Sequence, residues 1–100
     1  MATVTGTLVV PIEAAHEAFR LAGAELGYSL DGAQSTHDVV VLKKGVSAFS
    51  WGSDLRVALV SDTAGTRATV HTAETFALTD WGRGRRAATK LLDAAGARRT

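Results

Sequence analysis

Hydrophobic and polar residues alternate at the start of the chain. Along residues 3–10 the side chains of Val4, Leu8 and Val10 fall on one face of an extended backbone. This alternation of β-branched and polar residues predicts a strand. Pro11 follows it. Proline fits the first turn of a helix, because the N–H that it lacks would have no partner there.

The spacing then changes to that of a helix. Apolar residues recur at every third or fourth position, which places them on one helical face. Glu13 and Glu17 lie near the N-terminal end, where the helix dipole favours negative charge. Gly27 is expected to end the helix. The apolar stripe consists of Ile12, Ala15, Phe19, Ala22 and Leu26.

Residues 28–76 carry the β-branched, alternating patterns of strands. Segment 62–65 is expected to be a hairpin loop, and residues 52–54 are expected to interrupt one long strand as a bulge or a turn. The predicted strands cover residues 28–30, 38–44, 46–61 and 66–76. In the last of them, Ala68, Val70 and Thr72 share one face, while Arg67, Thr69 and His71 share the other.

A second amphipathic helix is predicted from residues 78–80 onward. Thr79 is a suitable N-cap, and Asp80 suits the positive end of the helix dipole. Gly96 is expected to end this helix, and residues 97–100 are expected to form a short basic tail. The apolar stripe consists of Trp81, Ala88, Leu91, Leu92 and Ala95.

The order of elements is β-α-β-β-β-β-α, in a single domain that covers residues 1–100. Strands joined by short turns pair antiparallel, and both helices need a sheet face on which to bury a stripe. The sequence therefore predicts an α+β two-layer sandwich with both helices on one face of an antiparallel sheet. An open sheet would resemble half of the TATA-binding protein, and a curled sheet would resemble a small helix-grip fold.

Composition narrows the classes of function. The chain is 46% hydrophobic, has a formal net charge of +1 and contains no cysteine. This favours a folded domain over disorder and excludes disulfides and thiolate metal sites. No leader pattern is recognised, and no apolar run reaches the roughly 20 residues of a membrane span. We therefore expect a cytoplasmic protein without a membrane span.

The near-neutral total conceals an uneven distribution of charge. Residues 80–100 carry six basic and two acidic residues, whereas residues 1–79 carry five basic and eight acidic residues. Arg83, Arg86 and Lys90 are spaced three and four residues apart and share one helical face. They are candidates for binding an anion, and a solvated helix face is the alternative interpretation. Nucleic acid is disfavoured as a partner, because stacking platforms usually carry several aromatic rings.

Each of the two tryptophans precedes a glycine. One interpretation is structural, with Trp51 at a bend of the long strand and Trp81 packed from the second helix onto the sheet. In the other, both indoles line a pocket or a partner surface, as aromatic rings often do. The candidate surface then consists of Phe49, Trp51, Trp81 and Arg85.

Catalytic and metal chemistry find no support in the motifs. His16, His37 and His71 are far apart in the chain, and without cysteine they do not have the spacing of a zinc site. Each is expected to be a surface histidine or a hydrogen-bonded structural one. The chain also lacks a nucleophile elbow and both common glycine-rich phosphate motifs. No metal and no cofactor are therefore expected.

Three short motifs carry a resemblance that extends over the whole chain. They are Ser50-Trp51-Gly52, Gly65-Thr66 and Asp80-Trp81-Gly82. The chain resembles an uncharacterised family of small bacterial domains with a Ser-Trp-Gly strand, a Gly-Thr hairpin and a C-terminal Asp-Trp-Gly-Lys-Asn-Arg helix. Arg83 stands in place of that lysine, and Gly84 stands in place of that asparagine. The resemblance implies a stand-alone domain with no assigned activity.

These observations favour a non-enzymatic binding or interaction module whose ligand is a small apolar molecule or a protein partner. One alternative is a homodimeric structural protein, in which residues 3–10 or 38–44 form an exposed sheet edge that a second copy covers. Another is a module that binds an anionic partner through the basic C-terminal helix.

Overall fold

The computed structural model describes residues 3–44, 53–74 and 83–99. Within these ranges the chain forms six strands and two helices. In chain order they are β1 (Thr3–Leu8), α1 (Ile12–Glu25), β2 (Tyr28–Leu30), β3 (Val39–Lys44), β4 (Ser53–Asp62), β5 (Gly65–Glu74), α2 (Arg83–Ala94) and β6 (Arg98–Arg99).

The strands form one antiparallel sheet in the order β2-β3-β4-β5-β1-β6. Its edges are β2 and β6, which do not pair with each other, so the described sheet is open rather than curled into a closed shape. The α+β two-layer arrangement that the sequence predicts is confirmed. The predicted edges are wrong, because β1 lies between β5 and β6, and β3 lies between β2 and β4.

Two further details differ from the sequence-based expectation. Residues 53 and 54 are not part of an interruption, because Ser53 pairs with Glu74 and Asp54 pairs with Ala73 in the ladder between β4 and β5. The C-terminal residues are not merely a tail, because β6 pairs with β1 through Gly6 and Thr7. A strand of only two residues leaves no periodic pattern in the sequence, so β6 is recognised only from its pairing with β1 in the structure.

Helix α1 buries the stripe that its periodicity predicts. Ala15 and Phe19 are fully buried, and Ala22 is almost so. Gly23 allows the closest approach to the sheet, because a Cβ at this position would lie 2.8 Å from Cδ1 of Leu42. Leu42 is itself fully buried. Small residues on this face therefore bring the helix directly onto β3.

Helix α2 covers the other part of the same sheet face. Ala88, Leu91 and Leu92 are fully buried in the core that α1 and the sheet share. The sheet contributes the inward-facing residues of four strands to this core. They are Val4 and Leu8, Val40 and Leu42, Leu55, Val57 and Leu59, and Ala68 and Val70.

The hairpin between β4 and β5 holds the end of β1. Thr66 is fully buried, and its hydroxyl donates a 2.8 Å hydrogen bond to the carbonyl oxygen of Val10. Gly65 has a φ of 135°, a conformation that L side chains rarely adopt. A Cβ at Gly65 would overlap the carbonyl oxygen of Leu8 and lie 2.9 Å from Cα of Val9. Both features fix the point where the chain leaves β1 for α1.

Gly65→Ala is expected to reduce the free energy of unfolding by at least about 2 kcal/mol, since it adds backbone strain and displaces the end of β1. Guanidinium unfolding followed by circular dichroism measures the change. Gly32→Ala is the matched control, because a Cβ there meets no atom within 4 Å. The control should stay within roughly 0.5 kcal/mol of the parent protein. Equal midpoints for the two variants would contradict the assignment.

Candidate functional site

A groove lies between the first half of α1 and the loop that joins β2 to β3. Its volume is about 520 Å³. Glu13 and His16 form the helical wall, and Leu30 lies where β2 ends. The loop wall consists of Gly32, Ser35, Thr36 and His37. The groove combines an apolar surface with a few polar groups that converge on it, which is the usual make-up of a small-molecule site.

The helical wall is bonded directly to the loop wall. Glu13 and His16 are three residues apart on α1 and therefore share a face. Nε2 of His16 lies 2.9 Å from the carbonyl oxygen of Thr36. Since a carbonyl only accepts hydrogen bonds, Nε2 must carry the proton. In neutral His16 this leaves Nδ1 as an acceptor.

The loop is held in shape by Asp31. Its Oδ1 accepts hydrogen bonds from the backbone N–H groups of Ala33 at 3.0 Å and Gln34 at 3.2 Å. Its Oδ2 accepts from the Gln34 side chain at 2.8 Å and lies 3.0 Å from Nζ of Lys43 on β3. A short aspartate that bonds the backbone two and three residues ahead is a common device for closing a turn.

The electrostatics of this bonding favour the ionised carboxyl. The hydrogen bond from Lys43 and, after it, the bonds from Gln34 hold the pKa of Asp31 below its ordinary value, against the opposing effect of desolvation. The same contact raises the pKa of Lys43. The loop is therefore fastened to β3 by a charged pair as well as by backbone bonds.

The remainder of the loop is bonded to the strands behind it. Ser35 Oγ accepts a 3.0 Å hydrogen bond from the N–H of Val41. Thr36 forms an isolated bridge with Val39, and its hydroxyl donates to Asp38 at 2.7 Å. The carbonyl oxygen of Asp38 accepts from the N–H of Leu59 at 2.8 Å. The groove wall is thus an ordered part of the fold and presents its side chains at defined positions.

The sequence predicts that each histidine is a surface or a hydrogen-bonded one, and the structure adds that two of them share a groove. His16 and His37 line the same groove although 21 positions separate them in the chain. His71 lies on the other face of the sheet, with Nδ1 3.3 Å from the hydroxyl of Thr3. Among the described residues, no group of three or more histidine, aspartate or glutamate side chains is arranged to hold a metal ion.

The aromatic surface inferred from the sequence stays a prediction. Phe49, Trp51 and Trp81 lie outside the described residues. Arg85 is described, and it is exposed on α2 away from the groove.

The basic cluster inferred from the sequence lies on α2. Arg86 and Lys90 are exposed there. Arg83 is the first helical residue of α2, and its side chain lies outside the described part of the chain.

Comparisons with known proteins leave the family open. No protein family, curated protein or solved structure matches the chain. The resemblance to small bacterial domains with Ser-Trp-Gly and Asp-Trp-Gly motifs therefore stays a prediction. In the ranges that the structure describes, no helix has the length and apolar character needed to cross a membrane.

Acidification should loosen the loop wall. A carboxyl whose pKa is lower in the folded state stabilises that state above its unfolded pKa, and this effect is lost as the pH falls through the folded pKa. For Asp31 we expect the loss to begin below about pH 4. Asp31→Asn should melt at a lower temperature than the parent at pH 7, and its melting temperature should fall less between pH 5 and pH 2.5.

Thermal melting followed by circular dichroism at each pH measures this difference. Lys43→Met removes the other half of the pair and serves as the matched comparison. In the Asp31→Asn background, Lys43→Met should cause little further loss at pH 7, since the two groups act through one contact. Parallel pH curves for the parent and Asp31→Asn would contradict the prediction.

Proposed function

We propose that this domain is a non-enzymatic binding module whose site is the groove between α1 and the loop from β2 to β3. The observation that carries the proposal is the convergence of a carboxylate, two imidazoles and an apolar side chain on one groove with an ordered wall. Its volume of about 520 Å³ falls in the range of sites that hold one small molecule.

The polar groups of the groove favour a ligand that donates hydrogen bonds. The Glu13 side chain is exposed, and an ionised carboxylate only accepts. His16 already uses Nε2–H for Thr36, so its Nδ1 also accepts when the ring is neutral. An amine satisfies both groups and adds charge attraction to Glu13, whereas a carboxylate ligand would be repelled.

The apolar part of the groove gives the ligand its second requirement. Leu30 lines the groove and keeps 37% of its surface exposed. Covering it removes apolar area from water and stabilises the complex by roughly 25 cal/mol per Å². The proposed ligand is therefore a small primary amine with an apolar body.

Three probes of similar size that share a phenyl ring test this specificity. Benzylamine, benzyl alcohol and benzoate are titrated separately into isotopically labelled protein, and backbone amide shifts are recorded by NMR. We expect benzylamine to shift the amides of Glu13, His16, Leu30 and the loop, benzyl alcohol to shift them more weakly, and benzoate to have no effect. Shifts confined to other parts of the chain, or a preference for benzoate, would overturn the proposal.

Glu13→Gln keeps the size of the side chain and removes its charge. It should weaken benzylamine binding about threefold to tenfold while leaving benzyl alcohol binding nearly unchanged, because only the amine gains from the carboxylate. Glu25→Gln is the matched control, since Glu25 is an exposed residue of α1 outside the groove. If both variants weaken benzylamine equally, Glu13 has no local role and the assignment of the amine fails.

A further inference from the structure

The outward faces of the two helices carry opposite charge. Glu13, Glu17 and Glu25 are exposed on α1, and the one cation among them, Arg20, bonds to Glu17. Three carboxylates against one guanidinium leave this face with a net charge of −2. Leu21 lies on the same face with 52% of its surface exposed.

The outward face of α2 is basic. Arg86 and Lys90 are exposed there together with Asp93, whereas Arg85 is exposed on the side of the helix that carries buried Leu92. Two cations against one carboxylate leave a net charge of +1 on the described part of this face. The two helices contact each other on the same side of the sheet, so an acidic stripe and a basic stripe lie side by side.

The two helices run antiparallel to each other. In the sheet, two antiparallel pairings separate β2 from β4, and two separate β1 from β4. Both strands are therefore parallel to β4, and β1 and β2 run in the same direction. Helix α1 joins them and therefore runs back in the opposite direction, whereas α2 follows β5 and runs along the direction of β1. A two-fold axis parallel to the helices and lying between them would place α1 of each copy on α2 of the other, so that the same charge contact forms twice.

We propose that a second copy of this chain docks on the helix layer, with the acidic face of α1 against the basic face of α2 in both directions. A free polyanion fits this surface less well, because the α1 carboxylates lie directly beside the α2 cations and would repel it. The inference goes beyond the ligand groove: the two surfaces share Glu13, and the variants that test the dimer change Glu17 and Glu25, which do not line the groove.

The size of the helix surface determines how strongly we expect the two copies to associate. Helices of 14 and 12 residues are about 20 Å long and pack about 10 Å apart. Their joint outward surface is smaller than the roughly 800 Å² per partner of a standard stable interface. The dimer should therefore be weak, with charge contributing strongly, and it should dissociate when salt screens the contacts.

Analytical ultracentrifugation at millimolar-range protein concentration tests the association. We expect a dimer at low ionic strength and at least a tenfold weaker association at about 0.5 M salt, where screening is strong. Arg86→Glu with Lys90→Glu makes both helices acidic, and Glu17→Lys with Glu25→Lys makes both basic. Each double variant alone should be monomeric, and an equimolar mixture of the two should form a heterodimer.

Arg56→Glu is the charge-reversal control, because Arg56 is an exposed cation on β4 whose side chain is directed to the opposite face of the sheet. It should leave the dimer unchanged, and circular dichroism verifies that every variant is folded. A parent protein that is monomeric at low salt would overturn the proposal, as would a dimer that survives both double reversals. Retention of the monomer on heparin, lost in Arg86→Glu with Lys90→Glu, would assign the surface to polyanions instead.

Discussion

The pairing of β1 with β5 is the constraint on which the rest of the described fold depends. It joins the first strand of the chain to the last strand of the meander, from Thr3 opposite His71 to Leu8 opposite Thr66. Because β3, β4 and β5 then lie between β1 and β2, the chain between β1 and β2 has to cross the sheet. Helix α1 makes this crossing, and Gly23 lets it lie close to Leu42.

The same pairing places the groove. Since β1 and β2 run in the same direction and α1 runs back between them, the beginning of α1 and the end of β2 lie at one end of the sheet. Glu13 and His16 thereby meet the loop that follows Leu30. The bond from His16 to Thr36 links the two walls at this point, and Asp31 holds the loop against β3. The candidate site is thus a consequence of topology, and its residues are remote from one another in the chain.

The periodicity of the sequence predicts the features that depend on neighbouring residues, such as which face of a helix or strand is buried. The three-and-four spacing of α1 and the alternation along β5 indicate which faces are buried, and burial of Phe19 and Val70 agrees with them. Strand order is set by contacts between distant residues, so the edge positions assigned from sequence were wrong and β6 was missed. The groove that His16 and His37 share was not predicted for the same reason, because the two residues are distant in the chain. A prediction that α1 runs antiparallel to β2 would have placed the beginning of α1 beside the end of β2 and so brought these two histidines together.

The fold determines which charged residues lie next to each other, which the net charge alone does not show. A net charge of +1 indicates little by itself, since the acidic residues lie mostly before residue 80 and a basic excess follows it. Folding brings α1 and α2 side by side on one face of the sheet, with their charged residues directed outward. Side-by-side helices whose charges point in the same direction cannot neutralise each other fully within one chain. A surface that lies opposite can do so, and a second copy turned about a two-fold axis parallel to the helices presents the required pattern, because this rotation exchanges the positions of the acidic and basic stripes.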